Sequence, residues 1–358
     1  MSEKFSEGEQ PGEDRVTVRD IARAAGVSIA TVSRAMQRDG VVSESTRQRV
    51  LQIAQSLGYK ENIFARNLAR RKSDLVAVVI GDIINPFYPE LIERLTRRLT
   101  VLGLHTMLIN MIDGVNVEAA LSPLFKYQVK AAVFLAAPFT SDACDICHRY
   151  GVPTYLINRY VDNQSAVKIA CDNYNAARMV AEVLLRADHK KMVYVGGKTD
   201  TSTNRDRKAG FTDFLRDSGT FDCLVEPAGE YSYEAGHRAG LRLLRNGQDM
   251  DAIFCANDIL ALGVLDAIRY AGGVRVPDDV SVIGFDDIAA AGWPGYDLTT
   301  VKQPVDEMLE LLVSEINRLD SGPKTLHNNL VLIPGKLVVR TSARVSEIMR
   351  NNRVTNQS

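Results

Sequence analysis

Hydrophobic positions change their spacing near residue 73. Before it they recur every three or four residues, and after it they come in short solid runs. In the first stretch Ile21, Ala22 and Ala25 form one stripe, and Val50, Leu51, Ala54 and Leu57 form another. This spacing predicts three short helices with their apolar faces turned inward. Thr17, with Asp20 three residues on, marks the first helix start, and Gly26 its end. Ser28 and Ser43 are the expected caps of the second and third helices, which run to about Met36 and to Gly58. Only Gly26, Val27 and Ser28 separate the first two, the tight connection of a helix-turn-helix.

From Ser73 on, apolar runs at 75–80, 105–110, 131–136, 153–158, 167–171, 191–197, 251–256 and 280–285 predict fully buried strands. Helical segments are expected near 86–102, 116–127, 174–187, 204–218, 233–246 and 258–271. This βα repetition predicts an α/β fold of parallel sheets with helices on both faces. Its roughly 285 residues exceed one sheet's usual size, so two similar lobes are expected.

Composition adds bounds. The chain has 358 residues, 46% hydrophobic and 24% charged, with no apolar run long enough for a membrane span. Residues 1–14 are polar and acidic, and lacking the apolar stretch of a signal peptide they read as a disordered tail. Five cysteines in a long chain argue against a disulfide scaffold, so a cytoplasmic location is expected. The net charge of −1 hides an asymmetry. Residues 15–72 carry 12 Lys and Arg against 4 Asp and Glu, whereas residues 73–358 carry 30 against 35. A basic module on a mildly acidic body points to a polyanion partner, most often nucleic acid.

The second helix, in VSIATVSRAM (27–36), is rich in small and hydroxyl side chains. Such a surface lets a helix approach a DNA major groove closely. Ile29 and Ala30 lie in its first turn, where they can meet thymine methyl groups. Thr31 and Ser33 suit phosphates, Arg34 suits guanine or phosphate, and Thr17 and Ser28 complete the expected DNA-binding set of this module. The alternative for Ile29 is burial in the helical core. Beyond it, residues 59–73 place Ile63, Phe64, Ala65 and Leu68 on one helical face among Arg66, Arg70, Arg71 and Lys72. An apolar side chain among arginines is a candidate minor-groove wedge, and the plain alternative is a charged linker.

TVRDIARAAGVSIATVSRAM, VSESTRQRVLQIAQSLGY and NLARRKS resemble the lactose/galactose repressor (LacI/GalR) family. NPFY, ANDILALGVLDAIRYAGGVRVPDDVSVIGFDD and LTTVKQP extend the resemblance over residues 73–342. It implies a helix-turn-helix headpiece at 15–60, a hinge helix at 61–72, a two-lobed periplasmic-binding-protein-like (type I) core at 73–342 and a tail at 343–358. It implies a homodimer on palindromic operator DNA, with Arg66 and Leu68 at the hinge and Leu68 as the inserted leucine. Glu61, where many members have proline, should loosen the hinge helix start.

Polar residues recur after six of the expected strands, where open α/β sheets bind ligands, although each singly suits a helix cap. By the resemblance, the effector site includes Asp82, Asn85, Phe87, Asn158, Asp172, Arg207, Tyr231, Asn257 and Asp286. Carboxylates and amides suit adjacent hydroxyls, Arg207 offers a fixed fork, and Phe87 or Tyr231 can cover a ring face. Asp188, and the alanines of DNYNAA, stand where glycines are usual.

The Cys144–Cys147 pair has no second pair to complete a metal site, VGGKTDTS lacks phosphate-loop spacing, and no acid, base and nucleophile stand at readable spacing. Neither catalysis, metal nor cofactor is expected. The reading is a transcription regulator, foremost a repressor, controlled by a small molecule such as a sugar. A sugar carrier and a sugar enzyme are the rivals. A protein partner or phosphorylated metabolite as the regulator stays open.

Overall fold

The computed structural model describes residues 16–36, 40–59, 73–111, 116–136, 141–219, 223–247, 249–271, 273–321 and 330–346. The chain divides into two compact units after Lys72.

The first unit holds α1 (Val18–Ala25), α2 (Ile29–Met36) and α3 (Glu44–Ser56). Each begins where a short polar side chain can satisfy free backbone N–H groups. The Asp20 carboxylate accepts from the Thr17 N–H at 2.9 Å and from its hydroxyl at 2.6 Å, which holds that carboxyl below its ordinary pKa. Ser28 Oγ accepts from the Thr31 N–H at 3.1 Å, and Ser43 Oγ from the Thr46 N–H at 3.3 Å. Gly26 ends α1 at φ 60°, a left-handed conformation that a side chain would strain. Ile21, Ala22, Ala25, Val32, Ala35, Val50 and Ala54 make the core. Leu51 and Leu57 do not join it as expected. They are exposed, because the inward stripe of α3 runs through Val50, Ile53 and Ala54. The Arg47 guanidinium ties α3 to the end of α2 by donating to the carbonyls of Ala35 (2.9 Å) and Gly40 (2.7 Å). Ser43→Ala should cost about 1 kcal/mol of headpiece stability. A thermal unfolding midpoint unchanged in that variant would show the cap contributes nothing.

Among its described residues the second unit has two six-stranded sheets. The first lobe is built on β1 (Leu75–Ile80), β2 (His105–Asn110), β3 (Ala131–Leu135), β4 (Thr154–Ile157) and β5 (Ala166–Cys171), with α4 (Phe87–Val101), α5 (Val117–Lys126) and α6 (Ser141–Arg149). The second is built on β6 (Met192–Gly196), β7 (Cys223–Pro227), β8 (Ala252–Cys255), β9 (Ser281–Asp286) and β10 (Thr299–Lys302), with α7 (Asn173–Arg186), α8 (Ser202–Asp217), α9 (Tyr233–Arg245) and α10 (Asp258–Asp266). The chain then returns. Helix α11 (Val305–Arg318) packs on α4 and β5, β11 (Leu330–Ile333) pairs with β5, and β12 (Lys336–Val338) pairs with β10. The sheet orders are β11-β5-β4-β3-β1-β2 and β12-β10-β9-β8-β6-β7, all parallel except the β10–β12 pair.

All eight expected strands form, but β2 is not fully buried. It lies at a sheet edge, and Leu108 is exposed there. Helices α6 and α11 and strands β7, β10, β11 and β12 are not among the expected elements. Packing also runs past the expected end of the core at 342. Ala343 and Val345 are buried, and the Arg344 N–H donates to Ser281 Oγ at 2.9 Å, so residues 343–346 are part of the second unit rather than a tail.

Three crossovers join the lobes: after Cys171, at Gln303–Pro304 and at Pro334–Gly335. They press together at Gly335, where an added Cβ would lie 2.9 Å from Val301 Cγ1 and 3.1 Å from Cys171 Sγ. The carboxyl ends of the strands therefore face a cleft closed on one side by these crossovers, which is where open α/β sheets bind ligands.

Candidate functional site

Residues at those strand ends adopt conformations that ordinary side chains avoid. Ala136 after β3 has φ 52°, Asn158 after β4 has φ 73°, and Asp286 at the end of β9 has φ 126°, with Asp287 next at φ 60°. Each costs of order 1–3 kcal/mol unless its surroundings enforce it, and such residues gather at functional sites.

Buried polar groups converge there. Asn158 Nδ2 donates to the Tyr88 hydroxyl at 3.0 Å. The Arg159 guanidinium lies 5.8 Å from the Tyr88 ring centroid in the first lobe and 5.0 Å from that of Tyr231 in the second. The Tyr231 hydroxyl shares bonds with Thr201 Oγ1 (3.0 Å) and Thr203 Oγ1 (3.2 Å). Arg207, 2% exposed, donates from Nε to Asn173 Oδ1 at 2.8 Å and from Nη1 to the Ala256 carbonyl at 2.5 Å. Its Nη2 lies 3.5 Å from Asp286 Oδ1, and its planar group sits 3.5 Å over the Phe285 ring. Gln303 Nε2 donates to the same Asp286 oxygen at 2.7 Å. Burial pushes the Asp286 carboxyl up to about 6, against the pull of Arg207. Asp258, fully buried behind it, is raised by burial and by the Asp286 charge, while the Thr300 hydroxyl donates to it at 2.5 Å. Burial also raises Asp82, and the Arg159 charge opposes it.

Among the described residues, three buried atoms in this cluster have no hydrogen-bond partner: Asn158 Oδ1, Arg159 Nε and Gln303 Oε1. Buried polar atoms are nearly always paired, so three orphans at one cleft make it the candidate site for an outside group. A pocket of about 250 Å³ opens beside Gln303 on the crossover side, lined by Phe87, Leu91, Asp286, Gln303 and Pro334 among others.

The expected effector residues divide into two kinds. Asn158, Asp286, Arg207 and Tyr231 come together across the cleft, and Phe87 lines the adjoining pocket. Three of the others are committed locally. Asp172 caps α7 by accepting from the Asn175 N–H at 3.1 Å, and Asn257 caps α10 through the Leu260 N–H at 3.2 Å. Asn85 accepts from the Phe87 N–H at 3.2 Å. Arg207 does not stand free as a fork for ligand hydroxyls, since its donors are held by three protein acceptors and it braces Asp286. Tyr88, Arg159 and Gln303 are absent from the expected set. Gln303 is hidden in the sequence because β10 is too short to announce itself, so the residue after it does not read as a strand end.

In the headpiece, α2 turns Ile29, Ala30, Ser33 and Arg34 outward, while Val32 and Ala35 are buried. Ile29 is 50% exposed, which removes it from the core. Thr17, Ser28 and Thr31 spend side-chain oxygens on helix starts. Arg66 and Leu68 lie outside the described residues, as does the expected hinge helix.

Residues 17–62 match the family described as bacterial regulatory proteins, lacI family, and residues 181–343 match the periplasmic binding protein-like domain. The chain is 30% identical to the catabolite control protein A of Priestia megaterium, over 92% of this chain and 99% of that protein. It belongs to the lacI family. It is 29% identical to the ribose operon repressor of Halalkalibacterium halodurans, over 94% of this chain and 99% of that one. The structure of the lac repressor dimer bound to operator and the anti-inducer ONPF superposes with a TM-score of 0.80 at 26% identity, covering 92% of this chain and 99% of that chain. A transcriptional regulator CelR–cellobiose complex gives 0.68 at 27% identity, covering 92% of this chain and all of that chain. As a member of this family the protein is a DNA-binding transcriptional regulator and not an enzyme.

One arrangement in this lacI-family core imitates a hydrolase. Ser281 Oγ lies 3.1 Å from His189 Nε2, and His189 Nδ1 lies 3.5 Å from Asp251 Oδ1. Ser281 and His189 are 0% and 1% exposed, so no substrate can reach them, and Ser281 fastens the segment around Arg344 to β9. Burial lowers the His189 pKa from its ordinary 6.5, with Asp251 opposing. The unfolded chain then binds a proton near pH 6.5 that the folded chain refuses. Stability from this group is complete above that pH and is lost as pH falls through the folded value. Asp258 and Asp286, with raised values, act in the opposite sense. The difference between the parent and His189→Gln isolates the histidine. Urea unfolding should show the parent losing more stability between pH 7 and pH 5 than the variant, and equal pH slopes would remove His189 as the cause.

Proposed function

We propose that the protein is a cytoplasmic, homodimeric repressor of a palindromic operator, released or engaged by an uncharged polyhydroxylated effector in the inter-lobe cleft. The observation that carries the effector class is the set of orphaned atoms. Asn158 Oδ1 and Gln303 Oε1 need donors, and Arg159 Nε–H needs an acceptor. Hydroxyl groups supply both, and adjacent hydroxyls on a sugar ring supply them together. A phosphorylated effector fits less well. Arg207 is already committed, and the carboxylates of Asp82 and Asp286 face the same space. Asp82, Asn158, Arg159, Tyr231, Asp286 and Gln303 form the proposed binding set, with Arg207 bracing it. The relatives named for ribose and the CelR–cellobiose complex support a carbohydrate.

At the DNA, Ile29, Ala30, Ser33 and Arg34 read the major groove, and Thr17, Ser28 and Thr31 approach phosphates at helix starts. Residues 15–60 form the headpiece and 61–72 the hinge, where Arg66 holds phosphate and Leu68 wedges the minor groove. The lac repressor dimer on operator supports the two-fold arrangement.

The test is thermal stabilisation of the full chain by uncharged sugars and polyols, their phosphate esters and the matching sugar acids, then calorimetry on parent and Gln303→Leu. Stabilisation by uncharged members, reduced about tenfold in affinity by Gln303→Leu, is expected. Tighter binding of a phosphate ester or sugar acid would overturn the effector class.

A further inference from the structure

Tyr160 comes after β4 and packs against the apolar cluster of the first lobe. Its polar atoms, however, bond to the second lobe. The Tyr160 hydroxyl donates to Asp206 Oδ2 at 2.5 Å, and the Tyr160 N–H donates to Ser202 Oγ at 3.0 Å. Arg205 completes the group. Its Nε donates to Asp206 Oδ1 at 2.8 Å, its Nη2 donates to the Tyr160 hydroxyl oxygen at 3.3 Å, and its guanidinium lies 5.5 Å from the Tyr160 ring centroid. Ser202, Arg205 and Asp206 all lie in the first turns of α8. Burial and the Asp206 carboxylate push the Tyr160 hydroxyl up to about 12, so it stays protonated and donates.

None of these residues belongs to a crossover or to the effector set. They are bonds between two bodies joined by three chain segments, and they need no ligand to form. We propose that Tyr160 and Asp206 are a clasp that holds the two lobes together in the effector-free protein. The clasp sets the population of the closed cleft and so the apparent affinity for whatever enters it. The link to effector affinity rests on the cleft being the effector site, whereas the clasp itself does not.

A hydrogen bond to a charged group is worth enough that losing it raises the open-to-closed ratio about tenfold. Opening of that size lengthens the distance between the lobes in a measurable fraction of molecules. The experiment is double electron–electron resonance on the effector-free full chain. Nitroxide labels go at Glu118→Cys on α5 and Lys208→Cys on α8, both exposed, with half-buried Cys223→Ser to keep labelling specific. The parent should show the short inter-lobe distance of the closed state. Tyr160→Phe and Asp206→Asn should each add a longer component, and the double variant should add little beyond either single one, because both remove the same bond. Unchanged far-UV circular dichroism in each variant separates opening from unfolding. A parent that lacks the short distance, or single variants whose distributions match the parent, would overturn the clasp. Either result would leave the reading of the effector cleft intact, because that reading is tested by ligand stabilisation.

Discussion

Arg207→Ala should destabilise the effector-binding unit by about 3–5 kcal/mol, the cost of breaking a buried charge pair by removing one partner. The side chain is 2% exposed and carries three bonds at once. Its loss leaves the Asp286 carboxylate without its guanidinium, the Ala256 carbonyl and Asn173 Oδ1 without their donor, and the Phe285 face without its cation. For a unit whose whole margin is about 5–15 kcal/mol, that loss is large. Calorimetric unfolding of the full chain should show the second unit melting several degrees earlier. Arg207→Lys should fall between, since a point charge cannot hold three separated acceptors in one plane. A parental melting temperature in Arg207→Ala would mean that the guanidinium is held for the ligand and not for the fold. Gln303 gives the contrast, because its Oε1 has no partner among the described residues and can act on a ligand directly.

That contrast shows how far the site could be read from residue types. Asp, Asn and Arg after buried strands do mark the cleft. Residue type alone, though, does not separate a ligand group from a cap. Asp172 and Asn257 sit one residue before a helix, and their side chains close the first turn. Asn158 and Gln303 have no helix to cap, and each keeps an acceptor unpaired among the described residues. Whether a helix begins at the next residue decides between the two roles. Gln303 precedes α11, but the cap position there is Pro304, which has no side-chain oxygen to offer.

The fold was legible where burial was complete. β1, β3, β6, β8 and β9 are central or near-central strands, and their apolar runs announce them. β7 and β12 are edges with polar or half-exposed residues, so no run marks them. Helix α11 carries its own signal, since Met308, Leu309, Leu312 and Ile316 repeat with a helical period and are all buried. It is nevertheless absent from the expected elements. It comes directly after β10, a strand of four residues, and βα alternation offers no strand run to which it could be attached.

The headpiece offers the sharpest separation of fold from function. On α2, Val32 and Ala35 are buried, whereas Ile29 is 50% exposed and Arg34 is exposed. An exposed isoleucine on a free helix face contributes little to folding, so Ile29→Ala should change headpiece stability by no more than about 0.5 kcal/mol. Had it been core, the same change would cost about 2–5 kcal/mol. Arg34→Ala should be equally mild for the fold. In the proposed reading of the operator the two side chains matter for different reasons. Ile29 offers an apolar contact to thymine methyl groups, and Arg34 can donate two bonds to one guanine. Each contact is worth about 1–3 kcal/mol, and on separate bases they add, so the double variant should lose roughly 2–6 kcal/mol of specific affinity per headpiece. Non-specific binding, which rests on the other basic residues, should change far less. Fluorescence anisotropy on the operator and on scrambled DNA, at one fixed salt concentration and with melting curves beside it, separates the two effects. If Ile29→Ala melts early while operator discrimination persists, then Ile29 supports the headpiece and another face of the module reads the DNA.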